Sequence, residues 1–250
     1  MSTNTRKGAR TVATVDPDIL VQLEAGMIET ANLTEELAIN MAHLLRTVAP
    51  QVPLDALDLS LGVVQRMAQA GGLLRTHVGS DAMPALAKHP SDTVRGWAAF
   101  AVGQEGDRPP LERVDAIRPF AADPHFGVRE WAWMAVRAII VDDPIGVIAR
   151  LTPWTQDSDP NIRRFASEAT RPRGVWAASI GLLRKEPQHA LPILEALRHD
   201  SERYVEDSVA NWLNDAAKDQ PEWVARLLDT WAKDGVAARL ITRAGRSLSI

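Results

Sequence analysis

The chain contains no cysteine, which excludes disulfide bonds, thiolate zinc sites and cysteine nucleophiles and is typical of a reducing cytosol. It also lacks any run approaching the ~18 consecutive apolar residues of a transmembrane helix. Its first residues, MSTNTRKGARTVATV, are basic at the start but have no apolar stretch, so they do not resemble a secretory signal. These absences predict a cytoplasmic protein with no membrane partner. The basic, non-apolar start predicts a disordered tail over residues 1–16.

The charge of the chain is unevenly distributed. The 250 residues carry a formal net charge of −4, with 46% hydrophobic and 24% charged residues, as in ordinary globular proteins. Between residues 161 and 185 there are six positive side chains and one negative, a net of +5, so the remainder sums to −9. An acidic chain with one basic stretch can offer a polyanion a single face. The alternative is that these cations form an ordinary solvated helix face.

Four segments share one pattern: an Asp-containing turn, a β-branched residue usually followed by Arg, and then an apolar helix. The β-branched residues are Val94, Val128, Ile162 and Val205. They lie 34, 34 and 43 residues apart, and mostly small apolar residues follow four and seven positions later. Offsets of zero, four and seven share one helical face, and helix pairs at this period are typical of HEAT repeats. The sequence therefore predicts an all-α, HEAT-like repeat α-solenoid of stacked antiparallel helix pairs with a concave face.

The first third of the chain is less regular. Its pattern predicts helices over residues 18–30, 34–48 and 55–70, with Thr34 as the cap of the second and Gly71-Gly72 ending the third. No break in composition marks a separate domain. We therefore expect a single HEAT-like repeat domain over residues 17–250, with its clearest repeats at about 82–235.

Three stretches in the second half are more specific than a generic repeat. Residues 163–176 read RRFASEATRPRGVW, residues 207–215 read DSVANWLND and residues 218–221 read KDQP, while GMIETANL at 26–33 adds a fourth stretch. They resemble the RRxASExxRPRxxW, SVANxLND and KDxP signatures, and an N-terminal feature, of the AlkC branch of the HEAT-like-repeat alkylpurine DNA glycosylases. By this resemblance, which covers most of the chain, it is identified as a member of the AlkC/AlkD superfamily.

The resemblance implies a monofunctional DNA glycosylase. Such an enzyme hydrolyses the N-glycosidic bond of cationic N3- or N7-alkylated bases in duplex DNA, without a metal or organic cofactor. A carboxylate near the deoxyribose stabilises its oxocarbenium character and orients water, and an aromatic face adds cation–π attraction. Matched position by position, Glu168 or Asp215 takes the carboxylate role, and Trp176 contacts the lesion deoxynucleotide.

The resemblance also implies phosphate contacts. Arg164, Arg171 and Arg173 match arginines of the family motif and are expected to hold phosphates. With the other cations of the +5 stretch we expect them to form one face, mostly on the concave side. The full set is Arg163, Arg164, Arg171, Arg173, Arg184 and Lys185.

One departure from the family pattern bears on the chemistry. The AlkC pattern has an EFAIRPF segment on the preceding repeat, whose Glu belongs to the active site. Aligning residues 135–137 with its AIR places Trp133 at that Glu, and the nearest carboxylate, Glu130, lies about one turn earlier. Three interpretations stay open. Glu130 serves as a further catalytic carboxylate, or the chain binds DNA without cutting it, or an aromatic-rich site like that of the AlkD branch is formed by Trp131, Trp133, Trp176 and Trp212.

Two other function classes compete with the glycosylase: a non-catalytic DNA-structure-binding HEAT-repeat protein and a protein–protein adaptor solenoid. An adaptor predicts an apolar or acidic concave face, whereas both DNA interpretations need a basic one. The six histidines show no ligand pairing and no His-Glu dipeptide occurs, which argues against the di-iron HEAT-repeat hydroxylases. Trp97 and Trp131 occupy the same repeat position and are expected in the core. A protein acting on a single lesion has no need of a second copy, so we expect a monomer.

Overall fold

The computed structural model describes residues 6–53, 55–174 and 176–248. Within that part all regular secondary structure is helical, which confirms the all-α class. In chain order the α-helices are Pro17–Glu24 (α1), Leu33–Ala38 (α2), Met41–Val48 (α3), Val63–His77 (α4), Met83–Leu86 (α5), Asp92–Gly103 (α6), Pro110–Ala116 (α7), Arg118–Ala121 (α8), Phe126–Ala135 (α9), Arg137–Asp142 (α10), Pro144–Leu151 (α11), Pro160–Ala169 (α12), Gly181–Lys185 (α13), Leu191–Leu197 (α14), Arg203–Ala217 (α15), Pro221–Lys233 (α16) and Ala238–Ala244 (α17). Short 3-10 turns span Val12–Thr14, Ser80–Ala82, Thr152–Gln156, Pro187–Ala190 and Gly245–Ser247. None of the helices in the described ranges combines the length and apolar character needed to cross a bilayer.

The chain divides into two compact units. The first comprises Met1–Asp107 and Asp123–Ala135, and the second comprises Arg108–Ala122 and Val136–Ile250. The expectation of one domain over residues 17–250 stays a prediction. Of the predicted tail, residues 1–5 lie outside the described part. In the remainder Arg6 forms an ion pair with Glu35 and donates to the Glu29 carbonyl at 3.0 Å.

The repeat pattern is confirmed by the helices it predicted. Each β-branched residue lies in the first turn of a helix, in α6, α9, α12 and α15 respectively. All four are buried, and so are the residues four positions later, which places these offsets on the inward face. Trp97 and Trp131 are also buried, as expected. The turn aspartate before α12 acts as a cap, since Asp159 accepts from the Asn161 amide at 2.8 Å.

The arginine that follows the β-branched residue has a repeated structural role. Its Nη1 donates to two carbonyls of the turn that precedes its own helix. Arg95 binds those of His89 and Pro90, Arg129 those of Asp123 and Pro124, and Arg163 those of Asp157 and Ser158. Two of these arginines also hold an aspartate of the following turn bidentately, Asp123 for Arg95 and Asp200 for Arg163. These arginines satisfy carbonyls that helical bonding leaves open.

The first helices differ from the sequence prediction. Helix α1 ends at Glu24 and not at residue 30, and Gly26 follows it with φ +70°, a left-handed conformation that favours glycine. The predicted helix over 34–48 is two helices, because Asn40 accepts from the amides of Ala42 and His43 and so starts α3 afresh. The cap of α2 is Asn32 instead of Thr34.

Helix α4 also departs from the prediction, because it begins at Val63 and runs through Gly71-Gly72 to His77. Gly71 is not a stop signal here but a packing position. A Cβ on it would lie 2.7 Å from the Trp97 carbonyl oxygen and 2.8 Å from the Ala101 amide nitrogen of α6. The glycine therefore allows the backbones of α4 and α6 to approach closely.

The core of the first unit contains a carboxyl group, that of Glu36. It is only 2% exposed and accepts a hydrogen bond from the indole Nε1 of Trp131. Burial, followed by the negative charge of Asp92, raises the pKa of Glu36 to about 8, although the hydrogen bond from Trp131 acts in the opposite direction. Glu36 is therefore protonated at neutral pH.

Glu36→Gln is expected to raise the free energy of unfolding by a margin that grows with pH between 4.5 and about 8. In this interval the unfolded chain releases the Glu36 proton while the folded chain keeps it. The wild type therefore loses about 1.4 kcal/mol per pH unit through this group, and the neutral amide loses nothing. Urea unfolding of both proteins at about pH 5, 6.5 and 8 measures the margin. The same margin at all three pH values would contradict the assignment.

Candidate active site

The candidate site lies in the second unit, where α12 and α15 end. These two helices run parallel, because contacts pair Ser167 with Ser208 and Arg171 with Asp215. Their C-terminal ends therefore point the same way, and each contributes the partial negative charge of a helix C-terminus. Such a location favours a cation.

Arg171 joins the two predicted carboxylates. Its Nη1 donates to Glu168 Oε1 at 2.6 Å, while its Nε and Nη2 both donate to Asp215 Oδ2, at 2.9 and 2.7 Å. The structure thus brings together Glu168 in the last turn of α12 and Asp215 in the last turn of α15. It also gives Arg171 a role between the carboxylates that differs from the predicted phosphate contact.

Glu168 is held from every side. It is 4% exposed, accepts from the Ser208 hydroxyl at 2.7 Å, and lies 3.4 Å from Arg164. Burial acts to raise its pKa, but Arg164, Arg171 and the Ser208 hydrogen bond outweigh it, so the pKa of Glu168 lies below its ordinary value. Glu168 is therefore an ionised, fixed partner of Arg171.

Asp215 is as buried as Glu168, at 4% exposure, but one of its contacts is to a partly exposed side chain. Its second oxygen accepts from Lys218 Nζ at 3.0 Å, and the Lys218 side chain is 43% exposed. The ammonium group of Lys218 is open to solvent on one side, so it can exchange its partner more readily than Arg171 can. One oxygen of Asp215 can therefore be released without breaking the Arg171 bridge.

Trp176 lies on the loop that follows α12. Its side chain is 50% exposed, and its φ of +59° makes it the one non-glycine residue with positive φ in the described ranges. A left-handed conformation is uncommon for a bulky residue, costs of order 1–3 kcal/mol and persists only when the surroundings impose it. The indole is thus presented to solvent by a constrained backbone.

Arg137 holds the backbone on both sides of Trp176. Its guanidinium is buried and donates to three carbonyls around the loop: Nη1 to Ala169 at 2.9 Å, Nη2 to Arg171 at 3.0 Å and Nε to Ala178 at 2.7 Å. Burial, followed by the charge of Arg171, lowers the pKa of Arg137 to about 10, so it remains cationic at neutral pH. The sequence analysis missed this role, although Arg137 closes the segment that aligns with the family AIR.

Asp219 holds two of the predicted phosphate-binding arginines. Arg173 and Arg184 each donate to both of its oxygens, at 2.7–3.0 Å. The hydrogen bond from Arg184, and then that from Arg173, lowers the pKa of Asp219 to about 2 against the opposing effect of burial. Asp219 is the Asp of the KDQP stretch. The sequence analysis found this motif but did not predict that its Asp binds two arginines.

The six predicted cations lie at two places along α15, and the expectation that they form one face stays a prediction. Arg163 lies at the N-terminal end of α15, bound to Asp200, whereas Arg173 and Arg184 lie at its C-terminal end. Fifteen helical residues, about 22 Å, separate the two ends. Arg164 packs 4.3 Å from the centroid of the Tyr204 ring and is 12% exposed, and Lys185 is exposed. The described donors of Arg163 serve the repeat scaffold.

Trp212 and Trp133 are both buried. Trp212 is fully enclosed, with its Nε1 donating to the Thr170 carbonyl at 2.9 Å, so its placement does not support contact with a nucleotide. Trp133 belongs to the first unit, is 4% exposed and donates to Glu130 Oε2 at 2.8 Å. Glu130 is therefore the partner of Trp133 within that unit.

The described residues contain no group of three or more His, Cys, Asp or Glu side chains arranged to hold a metal ion. The absence of a metal and of an organic cofactor therefore stays an expectation from the resemblance. The groups available for chemistry are the carboxylates of Glu168 and Asp215, the cations that hold them and the exposed face of Trp176.

Comparisons with known proteins agree with the helical-repeat fold, and one of the matching family models includes the candidate site. A family model for HEAT repeats matches residues 80–171, and a model for the DNA alkylation repair enzyme family matches residues 128–248. The chain is 42% identical over 97 residues to an uncharacterised protein of Bacillus subtilis strain 168, YhaZ, over 39% of this chain and 27% of that protein.

Solved structures give a similar result. The Pseudomonas fluorescens alkylpurine DNA glycosylase AlkC, bound to DNA containing an abasic-site analogue, superposes with a TM-score of 0.70 at 26% identity, over 96% of this chain and 65% of that one. AlkD2 from Streptococcus mutans superposes with a TM-score of 0.63 at 18% identity, over 82% of this chain and all of that one, which supports the fold alone. The chain spans less than two thirds of the length of AlkC and about a quarter of YhaZ.

The repeated helices with their buried β-branched residues define a HEAT-repeat protein. Residues 128–248 match the DNA alkylation repair enzyme family, and the HEAT-repeat match and the similarity to AlkC are consistent with the AlkC/AlkD superfamily.

Proposed function

We propose that the chain is a DNA repair glycosylase that hydrolyses the N-glycosidic bond of N3- or N7-alkylated bases in duplex DNA. The observation that carries the proposal is the Arg171 bridge, which holds Glu168 and Asp215 together at two helix C-termini in the unit that carries Trp176. The match to the DNA alkylation repair family and the similarity to AlkC support the choice of substrate.

The proposed reaction is a hydrolytic substitution at C1′ of the deoxyribose. The bond between C1′ and the base nitrogen breaks, its electron pair neutralises the cationic base, and the base leaves. The oxygen of water then bonds to C1′, and its proton passes to a carboxylate or to solvent. The protein has to stabilise positive charge on the sugar, for which an ionised carboxylate is suited.

Asp215 is proposed as the carboxylate that faces the sugar and orients water. Its Oδ1 is held by the half-exposed Lys218, which can transfer to a DNA phosphate when substrate binds. Glu168 is proposed to fix Arg171 and thereby Asp215, because it is buried against Arg164 and Ser208. The roles that the resemblance leaves interchangeable are thus divided by the contacts of the two carboxylates, since both are 4% exposed.

Trp176→Ala is expected to lower the preference for alkylated over undamaged duplex by roughly tenfold, through lost stacking and cation–π attraction to the cationic nucleotide. Competition binding with matched methylated and unmethylated duplexes measures the preference. Trp176→Phe is the control, because it keeps an aromatic face at the same position. An unchanged preference in Trp176→Ala would remove this residue from the lesion contact.

The test of the proposed function is the release of free base. The protein is incubated with purine-methylated duplex, and free N3-methyladenine and N7-methylguanine are measured against a reaction without protein. Trp133, at the position of a family Glu, gives the non-catalytic DNA-binding alternative its support. Binding to DNA without release of either base would favour that alternative, and no binding at all would favour a protein–protein adaptor.

A further inference from the structure

The end of the second unit contains a basic groove that lies outside the predicted site. It is an open cleft of about 490 Å³ between α15 and α17, lined by arginines and two small side chains. The lining residues are Arg203, Ala238, Arg239, Thr242, Arg243 and Arg246.

The arginines of the groove follow one helical face. Arg239, Arg243 and Arg246 are spaced by four and three residues, so they lie in a row along α17 and the turn after it. The row is about 10 Å long, since seven residues separate its ends. A linear row of guanidinium groups suits a linear polyanion.

Helix α15 orients this row. Arg239 Nη1 lies 2.7 Å from Glu206, Arg243 Nε lies 3.4 Å from Asp207, and Arg246 Nη2 lies 3.3 Å from Asn211 Oδ1. Four arginines thus face two acidic side chains, which leaves the groove positive. The side chains are also pre-positioned, so fewer rotamers are lost when a ligand binds.

Several donors of the groove are left for a ligand. Among residues 6–53, 55–174 and 176–248, the guanidinium of Arg203 and the two Nη groups of Arg243 have no hydrogen-bond or ion-pair partner. Arg203 and Arg246 are both exposed and both line the cleft. Guanidinium groups bind phosphate oxygens through paired N–H donors, which makes a phosphodiester the matching ligand class.

The groove leads to the candidate active site along a shared helix. Asn211, which contacts Arg243 and Arg246, lies one turn before Asp215 on α15. The Ser247 hydroxyl, at the end of the arginine row, donates to Asn214 at 3.0 Å. The groove and Asp215 are therefore about one helical turn apart along α15.

We propose that the α15–α17 groove binds successive backbone phosphates of the DNA strand whose sugar is presented to Asp215. The proposal rests on the proposed function for its ligand. It assigns strand binding to Arg203, Arg239, Arg243 and Arg246 in place of the divided cations of residues 163–185.

The test uses the double variant Arg203→Gln/Arg246→Gln, because both side chains are exposed. Arg226→Gln is the matched control, since Arg226 lies on α16 with its side chain 71% exposed. Fluorescence anisotropy with a short undamaged duplex, from about 50 to 200 mM salt, gives the dissociation constant and its salt dependence. The double variant is expected to bind roughly tenfold more weakly and to lose about 2 from the log–log salt slope, one for each phosphate contact.

A double variant with the affinity and slope of the control overturns the groove, and so does a wild type that does not bind duplex. Undamaged duplex is used because the measurement then needs no excision. Groove-dependent binding without base release would sink the glycosylase and leave the groove standing. Base release that does not depend on Arg203 and Arg246 would overturn the groove and leave the proposed glycosylase function standing.

Discussion

Asp215→Asn is expected to lower the single-turnover rate of base release by ~10²–10³-fold, the usual loss on removing one electrostatic contact to a developing charge. The substitution keeps the shape of the side chain and removes the negative charge that stabilises the sugar cation. Arg171 keeps its contact with Glu168, so the fold is expected to persist. Rates are measured with excess protein over methylated duplex, and urea unfolding checks the fold.

The sign of the binding change separates this loss from a general loss of substrate affinity. Removing a negative charge from the site leaves duplex affinity equal or stronger, because the ligand is a polyanion. The rate therefore falls while affinity does not, as expected for an interaction made only in the transition state. Asp229→Asn is the matched control, since Asp229 forms a largely exposed pair with Lys233 on α16. Equal rates for the two variants would remove Asp215 from the chemistry, and Glu168 would then be tested.

Arg137→Met is expected to produce the second largest effect, a ~10–10²-fold loss of rate through misplacement of the Trp176 loop. Methionine fills a similar volume but donates no hydrogen bonds, so the carbonyls of Ala169, Arg171 and Ala178 lose their shared donor. Leaving buried acceptors unpaired also costs about 1–3 kcal/mol of stability. Arg137→Lys keeps a cation and is expected to recover part of the rate.

Limited trypsin digestion separates loop order from global stability in this variant. The bond after Arg173 is a trypsin site, whereas the bond after Arg171 precedes a proline. In Arg137→Met, cleavage after Arg173 is expected to accelerate relative to the wild type. Cleavage after Arg226, which lies on α16, is expected to accelerate less. Equal acceleration at both sites would indicate general unfolding. In that case Arg137 would be part of the core only and not a positioning residue.

The repeat region was predictable because its signals are local. The β-branched residues with small residues four and seven positions on, and the proline and aspartate turns, fix helices whose faces follow from periodicity alone. Helices α6, α9, α12 and α15 contain the four predicted β-branched residues for this reason. In the first third, tertiary packing decides where the helices end. The sequence pattern predicts that Gly71 ends a helix, but its missing Cβ allows close approach of the α6 backbone.

The site was predictable as a set of residues but not as a set of contacts. Motif matching indicated Glu168, Asp215 and Trp176, because these residue types carry the chemistry. The net charge of +5 overstates the unpaired positive charge of residues 161–185. Arg163 pairs with Asp200 and Arg173 pairs with Asp219, and both aspartates lie far along the sequence. A count of charges within one segment cannot include partners supplied by the next repeat.

The most direct test of the account is a single-turnover reaction on a duplex carrying one N7-methylguanine, in which three products are counted together. They are the free base, the abasic sites and the strand breaks. Hydrolysis by the Asp215 site predicts free base and abasic sites in equal amounts, with no strand breaks above those of a protein-free control. No free base from duplex that the protein demonstrably binds, or breaks that accumulate as fast as the base is released, would contradict it.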